Sequence, residues 1–196
     1  MSLIKLISKI KRKLFMSNVN ELKVTRIRGV KLPERATPGS CGLDIFCPYD
    51  LTRIDLNKMV EMTKVDVRVD TNASTGTVTN IVIRPHQSVL IPTGLKIRVP
   101  DGCCIKVENK SSVATLKELI VGATLIDSDF TGEILVNLHN VSENKMAVIC
   151  PGDKIAQLVV YPVEMPKVVE VETAVELFKD LNTQRGDGCI GSTGMR

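Results

Sequence analysis

The chain has 196 residues, 43% of them hydrophobic and 24% charged, which suits one domain with a sizeable core plus short appendages. Aromatic residues make up only 3% and Trp is absent, which argues against a stacking platform for single-stranded nucleic acid. The formal net charge of +4 gathers near the N-terminus, in Lys5, Lys9, Lys11, Arg12 and Lys13; the remainder is close to neutral, so no specific nucleic-acid binding is expected.

Residues 1–20 place Leu3, Leu6, Ile7, Ile10 and Leu14 on one helical face, with the cations largely on the others. This basic amphipathic segment is read as a dispensable extension; contact of residues 1–15 with a membrane surface is the less favoured reading. Lysines interrupt the apolar core that a signal peptide needs, and no apolar run approaches the roughly 18 residues of a transmembrane helix. From Glu21 the pattern changes to short apolar runs between Pro, Gly, Asn and Asp: Leu43 to Cys47, Val89 to Pro92, Leu95 to Val99, Cys104 to Val107, Ile134 to Leu138, Met146 to Cys150 and Ile155 to Tyr161. Runs of this length, rich in β-branched residues, predict an all-β barrel or sandwich over residues 21–181. Within it, residues 51–80 are more polar and end in the turn-rich Asn72-Ala-Ser-Thr-Gly-Thr77, which predicts an inserted hairpin or surface excursion. Val171 to Leu181 suits one short helix or a connector, and residues 182–196 form a Gly-rich arm. The six cysteines contain no CxxC pair, and His86 and His139 are isolated, which argues against a structural zinc site. Thiols in apolar surroundings point to a reducing compartment, cytoplasmic or nuclear, and not to secretion.

Five segments carry chemistry. Thr37-Pro-Gly-Ser-Cys-Gly-Leu-Asp-Ile45 is a turn entering a strand that contains Asp44. Asn109-Lys-Ser-Ser-Val-Ala114 offers a cation and two hydroxyls directly after a strand, suited to phosphate or simply to starting a helix through Ser capping. Gly122-Ala-Thr-Leu-Ile-Asp-Ser-Asp-Phe-Thr-Gly-Glu133 packs two carboxylates into a turn. There Asp127 either orients a water for attack or, with Asp129, caps backbone N–H groups. Pro151-Gly-Asp-Lys-Ile-Ala-Gln-Leu158 places the Gln157 amide among apolar neighbours. The last segment, Arg185-Gly-Asp-Gly-Cys-Ile-Gly-Ser-Thr-Gly194, joins glycines, hydroxyls and a cation, a composition suited to surrounding anionic oxygens with backbone N–H groups.

In this order the five segments resemble the five motifs of the trimeric dUTPase family, deoxyuridine triphosphate nucleotidohydrolases, over about Val24 to Gly194. The resemblance implies a homotrimer of jelly-roll subunits with shared active sites and a flexible Gly-rich C-terminal arm. It implies hydrolysis of dUTP to dUMP and pyrophosphate, which keeps uracil out of DNA and supplies dUMP for dTMP synthesis. By the same resemblance Asp127 activates the water that attacks the α-phosphorus. Thr124, Leu125, Ile126 and Leu135 read uracil, largely through the backbone, and Phe130 presses on the deoxyribose. Lys110, Ser111, Ser112 and Gln157 contact phosphates, while Arg185, Ile190, Gly191, Ser192 and Thr193 close over the substrate. Asp44 supports Mg2+ indirectly, through water, the metal keeping waters and binding through substrate phosphates.

The chain departs from the family pattern at four places. Lys110 and Ser112 stand where Arg and Gly are usual, Phe130 replaces Tyr, Ile190 replaces a Phe that stacks on uracil, and residues 51–80 are longer than the usual connection. Lys keeps the charge of Arg but loses its bidentate fork. Two alternatives stand beside this reading. A dCTP deaminase shares the fold but needs a Glu where this chain has Asn137, and a non-catalytic relative would use the insertion or the basic N-terminal segment as a contact surface.

Overall fold

The computed structural model describes residues 21–183 and Gly186. Residues 1–20 lie outside it, as do the predicted arm residues Arg185, Ile190, Gly191, Ser192 and Thr193. The chain divides into two units, Met1–Val163 and Glu164–Arg196.

The first unit runs β1 (Lys23–Arg26), β2 (Leu43–Phe46), α1 (Arg53–Thr63), β3 (Arg68–Thr71), β4 (Val78–Ile83), β5 (Ser88–Pro92), β6 (Leu95–Arg98) and β7 (Cys103–Glu108). It continues with α2 (Ser111–Leu116), β8 (Leu119–Val121), β9 (Leu125–Ile126), β10 (Leu135–Asn140), β11 (Ala147–Ile149) and β12 (Lys154–Pro162). The strands form four small antiparallel sheets, ordered β1-β6, β5-β10-β8, β11-β4-β3 and β2-β12-β7-β9. The all-β expectation holds, and its cause is visible along β10. In Leu-Val-Asn-Leu-His-Asn every second residue is buried, with Val136 and Leu138 fully enclosed, as a period-two pattern requires. Such faces meet in one core that includes Ile45, Phe46, Ile91, Leu95, Ile105 and Leu158. Cys47 belongs to that core: burial pushes its thiol up to about 12, so it packs as a small hydrophobe and not as a nucleophile.

Residues 51–80 combine a hairpin with a helix that the sequence pattern did not announce. The hairpin is β3 and β4, closed by Asn72, whose Oδ1 accepts from Ser74 N at 2.9 Å and from Thr75 N at 3.2 Å. Helix α1 buries only Leu56 and leaves Ile54 and Met62 exposed, so it lacks an apolar stripe. What starts it is a capping box. Thr52 Oγ1 accepts from Asp55 N at 3.4 Å, while Asp55 Oδ2 accepts from Thr52 N at 3.0 Å. In the second unit, α3 (Ala174–Leu177) is likewise opened by a hydroxyl, Thr173 Oγ1 accepting from Glu176 N at 3.1 Å. This is the short helix anticipated within Val171 to Leu181.

Candidate active site

The predicted phosphate-contacting residues gather around β12, which runs between β2 and β7. Its register sets Gln157 opposite both Asp44 and Glu108. Gln157 Nε2 donates to the Asn109 carbonyl at 2.8 Å, and its amide fills the space that a Cβ at Gly42 would need. Glycine at 42 therefore makes room for the Gln157 amide. Directly after Asn109 the chain enters α2 with Lys110 as its N-cap, without any side-chain capping bond. Ser111 and Ser112 are exposed, so their hydroxyls are not consumed in starting the helix, the alternative that the sequence left open.

Asp44 is 2% exposed in the middle of this cluster. Lys110 Nζ lies 2.9 Å from Oδ1 and Lys154 Nζ lies 2.7 Å from Oδ2. Lys154 holds Oδ2 as an ion pair, and no other described group partners that oxygen. Burial pushes the Asp44 carboxyl up, but Lys154 and Lys110 outweigh it and hold the group below the ordinary Asp range. Asp44 in turn raises Lys154. Lys154 was not among the predicted site residues, for a structural reason. In an unbroken register its side chain would leave β12 on the face opposite Gln157; a register shift between Lys154 and Ala156 brings it opposite Phe46 and onto the Asp44 side.

The predicted nucleoside-contacting residues lie elsewhere on the unit. Leu125, Ile126, Asp127, Phe130, Glu133, Ile134 and Leu135 line a cavity of about 190 Å3. Strand β9 is the outermost of its sheet, Leu125 facing Lys106, so the backbone groups on its free side have no neighbouring strand. Thr124 stands just outside this lining, and its carbonyl accepts from Val107 N at 2.8 Å, within the sheet. Phe130 is 44% exposed with its ring over Gly132, where a Cβ would come 2.5 Å from Cζ. Phe130 N donates to the Asp127 carbonyl at 3.2 Å, which closes the turn through the backbone. Neither the Asp127 nor the Asp129 carboxylate accepts a hydrogen bond or joins an ion pair with any described residue, so neither acts as the capping group of an Asx turn. Glu133 and Ile134 complete the wall and were not predicted individually, although the quoted segment contains them.

None of Lys110, Ser111, Ser112, Gln157 or Asp44 lines the 190 Å3 cavity. A second concavity, about 540 Å3, lies along β1 and β6 and includes Lys23, Lys96, Arg98, Asp129 and Phe130. Among the described residues no three His, Cys, Asp or Glu side chains come together as a metal cage. Asp44, faced by two ammonium groups, is a poor direct ligand for a dication. No described helix is long and apolar enough to cross a membrane.

Comparison with known proteins adds to this geometry. The family model for dUTPase matches residues 76–194. A deoxyuridine 5'-triphosphate nucleotidohydrolase from Hydrogenobaculum sp. is 36% identical over 179 residues, covering 90% of this chain and 99% of the relative. Proteins of the same name from Chlamydia trachomatis and Fowlpox virus are 36% and 30% identical, covering 85% of this chain in both cases and 92% and 91% of the relatives. Among solved structures, the Staphylococcus bacteriophage 80alpha dUTPase, a mutant with dUpNHpp, aligns with a TM-score of 0.65 at 20% identity, over 90% of this chain and 99% of that one. A dUTPase mutant from phage phi11 of S. aureus, described with a structural Mg(II) ion, aligns with a TM-score of 0.59 at 20% identity, over 80% of this chain and 99% of that one. At that identity the structural likeness speaks for the fold alone.

Proposed function

This chain belongs to the dUTPase family, and from that premise we propose that it hydrolyses dUTP to dUMP and pyrophosphate by the following division of labour among its residues. The free side of β9, at Leu125 and Ile126, together with the backbone near Thr124 and Leu135, reads the uracil edge. Phe130 packs on the deoxyribose, where a 2′-hydroxyl would collide with the ring. Lys110, Ser111, Ser112 and Gln157 hold the triphosphate by charge-assisted and neutral hydrogen bonds. Asp127 orients a water and takes its proton as the oxygen attacks the α-phosphorus. Arg185, Ile190, Gly191, Ser192 and Thr193 close over the bound nucleotide.

The observation that carries this reading is the state of Asp127: an exposed carboxylate at the edge of a nucleoside-sized apolar cavity, without any hydrogen bond or ion pair to a described residue. A carboxylate so placed is free to bind water. The chain's own residues suit a metal carried in on the substrate: Mg2+ held by the phosphates and waters would offset charge on the triphosphate, with Asp44 reached only through water. That the phosphate residues do not line the cavity is compatible with a site shared between copies, one supplying the nucleoside wall and another the phosphate contacts, and the family resemblance sets their number at three. Pyrophosphate release measured with dUTP, dCTP, dTTP and UTP tests the whole. Strong preference for dUTP in the presence of Mg2+ is expected, and absence of release, or conversion of dCTP to dUTP, would overturn the reading.

A further inference from the structure

One charged bridge connects the inserted segment to the wall of the nucleoside cavity. Arg28, between β1 and β2, is half-buried and uses its guanidinium in two directions. Nε lies 3.0 Å from Glu133 Oε1, and Nη1 lies 2.9 Å from Asp55 Oδ1. Side-chain exposures of 23%, 16% and 18% for Arg28, Asp55 and Glu133 place all three where solvent screens only in part. Each carboxylate is already committed at its other contacts. Glu133 Oε1 also accepts from Gly94 N at 2.7 Å, and Asp55 Oδ2 accepts from Thr52 N and from Thr52 Oγ1, at 3.0 and 2.7 Å, in the capping box of α1. The arginine stem is fixed as well. Gly94 has φ of 72°, and a Cβ there would sit 2.7 Å from the Arg28 Cβ, so the stem lies directly on the turn between β5 and β6.

Glu133 lines the cavity beside Asp127 and Phe130, whereas Arg28 and Asp55 do not. We propose that Arg28 is a positioning residue for the nucleoside cavity. It clamps Glu133 with one edge of its fork and the N-terminus of α1 with the other, which makes the inserted helix a brace for the cavity wall. The proposal rests on the reading of that cavity as the dUTP site. Geometry gives the clamp its specificity. A guanidinium offers donors at fixed angles to both carboxylates at once, and an ammonium on a flexible stem does not. Without Arg28, Glu133 and Asp55 would face each other as two like charges, and the Glu133 carboxylate would keep only its bond from Gly94 N among the described residues.

The test compares wild type, Arg28→Lys, Asp55→Asn and the double variant in dUTP kinetics and in calorimetric titration with dUpNHpp, well below the thermal midpoint of each. Arg28→Lys is expected to raise KM for dUTP and Kd for dUpNHpp together by roughly five- to tenfold while kcat changes by less than about twofold, because wall placement affects ground and transition states alike. Asp55→Asn, far from the substrate, is expected to raise both by about two- to threefold, and the double variant to fall short of the product of the two. Folded variants that bind dUpNHpp as wild type does, with only a lower thermal midpoint, would reduce Arg28 to a fold-stabilising residue and overturn the proposal. If Arg28→Lys does not fold, Asp55→Asn decides alone on the same measure. A wild-type protein that binds no dUpNHpp would instead remove the dUTP reading, and the brace with it.

Discussion

The two halves of the candidate site handle charge in opposite ways. Around β12 a carboxylate is enclosed and matched by two cations: Asp44 sits between Lys110 and Lys154, and neither oxygen faces open solvent. At the turn after β9 a carboxylate is exposed and matched by nothing: Asp127 has no partner among the described residues. Matched charge fixes geometry, because moving any member leaves another unpaired in a low-dielectric setting. Unmatched charge keeps its capacity for a water. The first arrangement suits groups that hold a substrate and the second suits a group that reacts with it.

The largest effect expected from breaking this contrast is at Asp127. Asp127→Asn keeps size and removes the base, so kcat should fall by about 10³-fold while dUpNHpp binding and the thermal midpoint stay near wild type. Parallel loss of binding and stability would make Asp127 a structural residue. Next comes Asp44→Asn, which leaves two partly exposed ammonium groups without their counter-charge; solvent screens them, so the loss in denaturant unfolding should be about 1–2 kcal/mol. Because the folded-state pKa of Asp44 is depressed, its contribution to stability is complete above the ordinary Asp range. That contribution drains away as pH falls through that range toward the lower folded value. The Asn variant should therefore lose less stability than wild type over that acid window, and equal losses would argue against the pairing.

Smaller changes sharpen the comparison. Gly42→Ala would push the Gln157 amide off the Asn109 carbonyl. The amide must swing away and the Gln157 Cβ, 3.0 Å from the new methyl group, must also give slightly, so kcat/KM should drop by roughly five- to tenfold with a stability loss of about 1 kcal/mol. A stability loss without a kinetic one would place Gln157 outside the phosphate contacts. Thr52→Ala should be the mildest, about 1 kcal/mol from the lost cap of α1, read in thermal unfolding.

Much of this arrangement is legible before folding. The alternation in Leu135 to Asn140 announces its strand, and the segment from Gly122 to Glu133 announces a turn with an apolar run on each side. Other parts depend on facts that no local pattern contains. Helix α1 carries no apolar stripe, so its only written signal is the Thr52-to-Asp55 cap spacing, which is easily passed over beside a turn-rich hairpin. Lys154 reaches Asp44 only because the strand slips by a residue, and parity along β12 predicts the wrong face. Arg28 meets Asp55 and Glu133 across separations of 27 and 105 residues, so its role emerges only when three distant segments share a corner.

Strand β9 has one more consequence. An unpaired strand margin invites other polypeptides to add themselves in register, a common route to aggregates. Here the margin is two residues long and runs at once into a turn bearing Asp127 and Asp129, too short and too negative to template another chain. What fits such a stub is a flat ring that offers its own donors and acceptors over the length of a single residue. The brevity of β9 thus protects the protein from its own kind and, on the function proposed above, leaves a place for a pyrimidine.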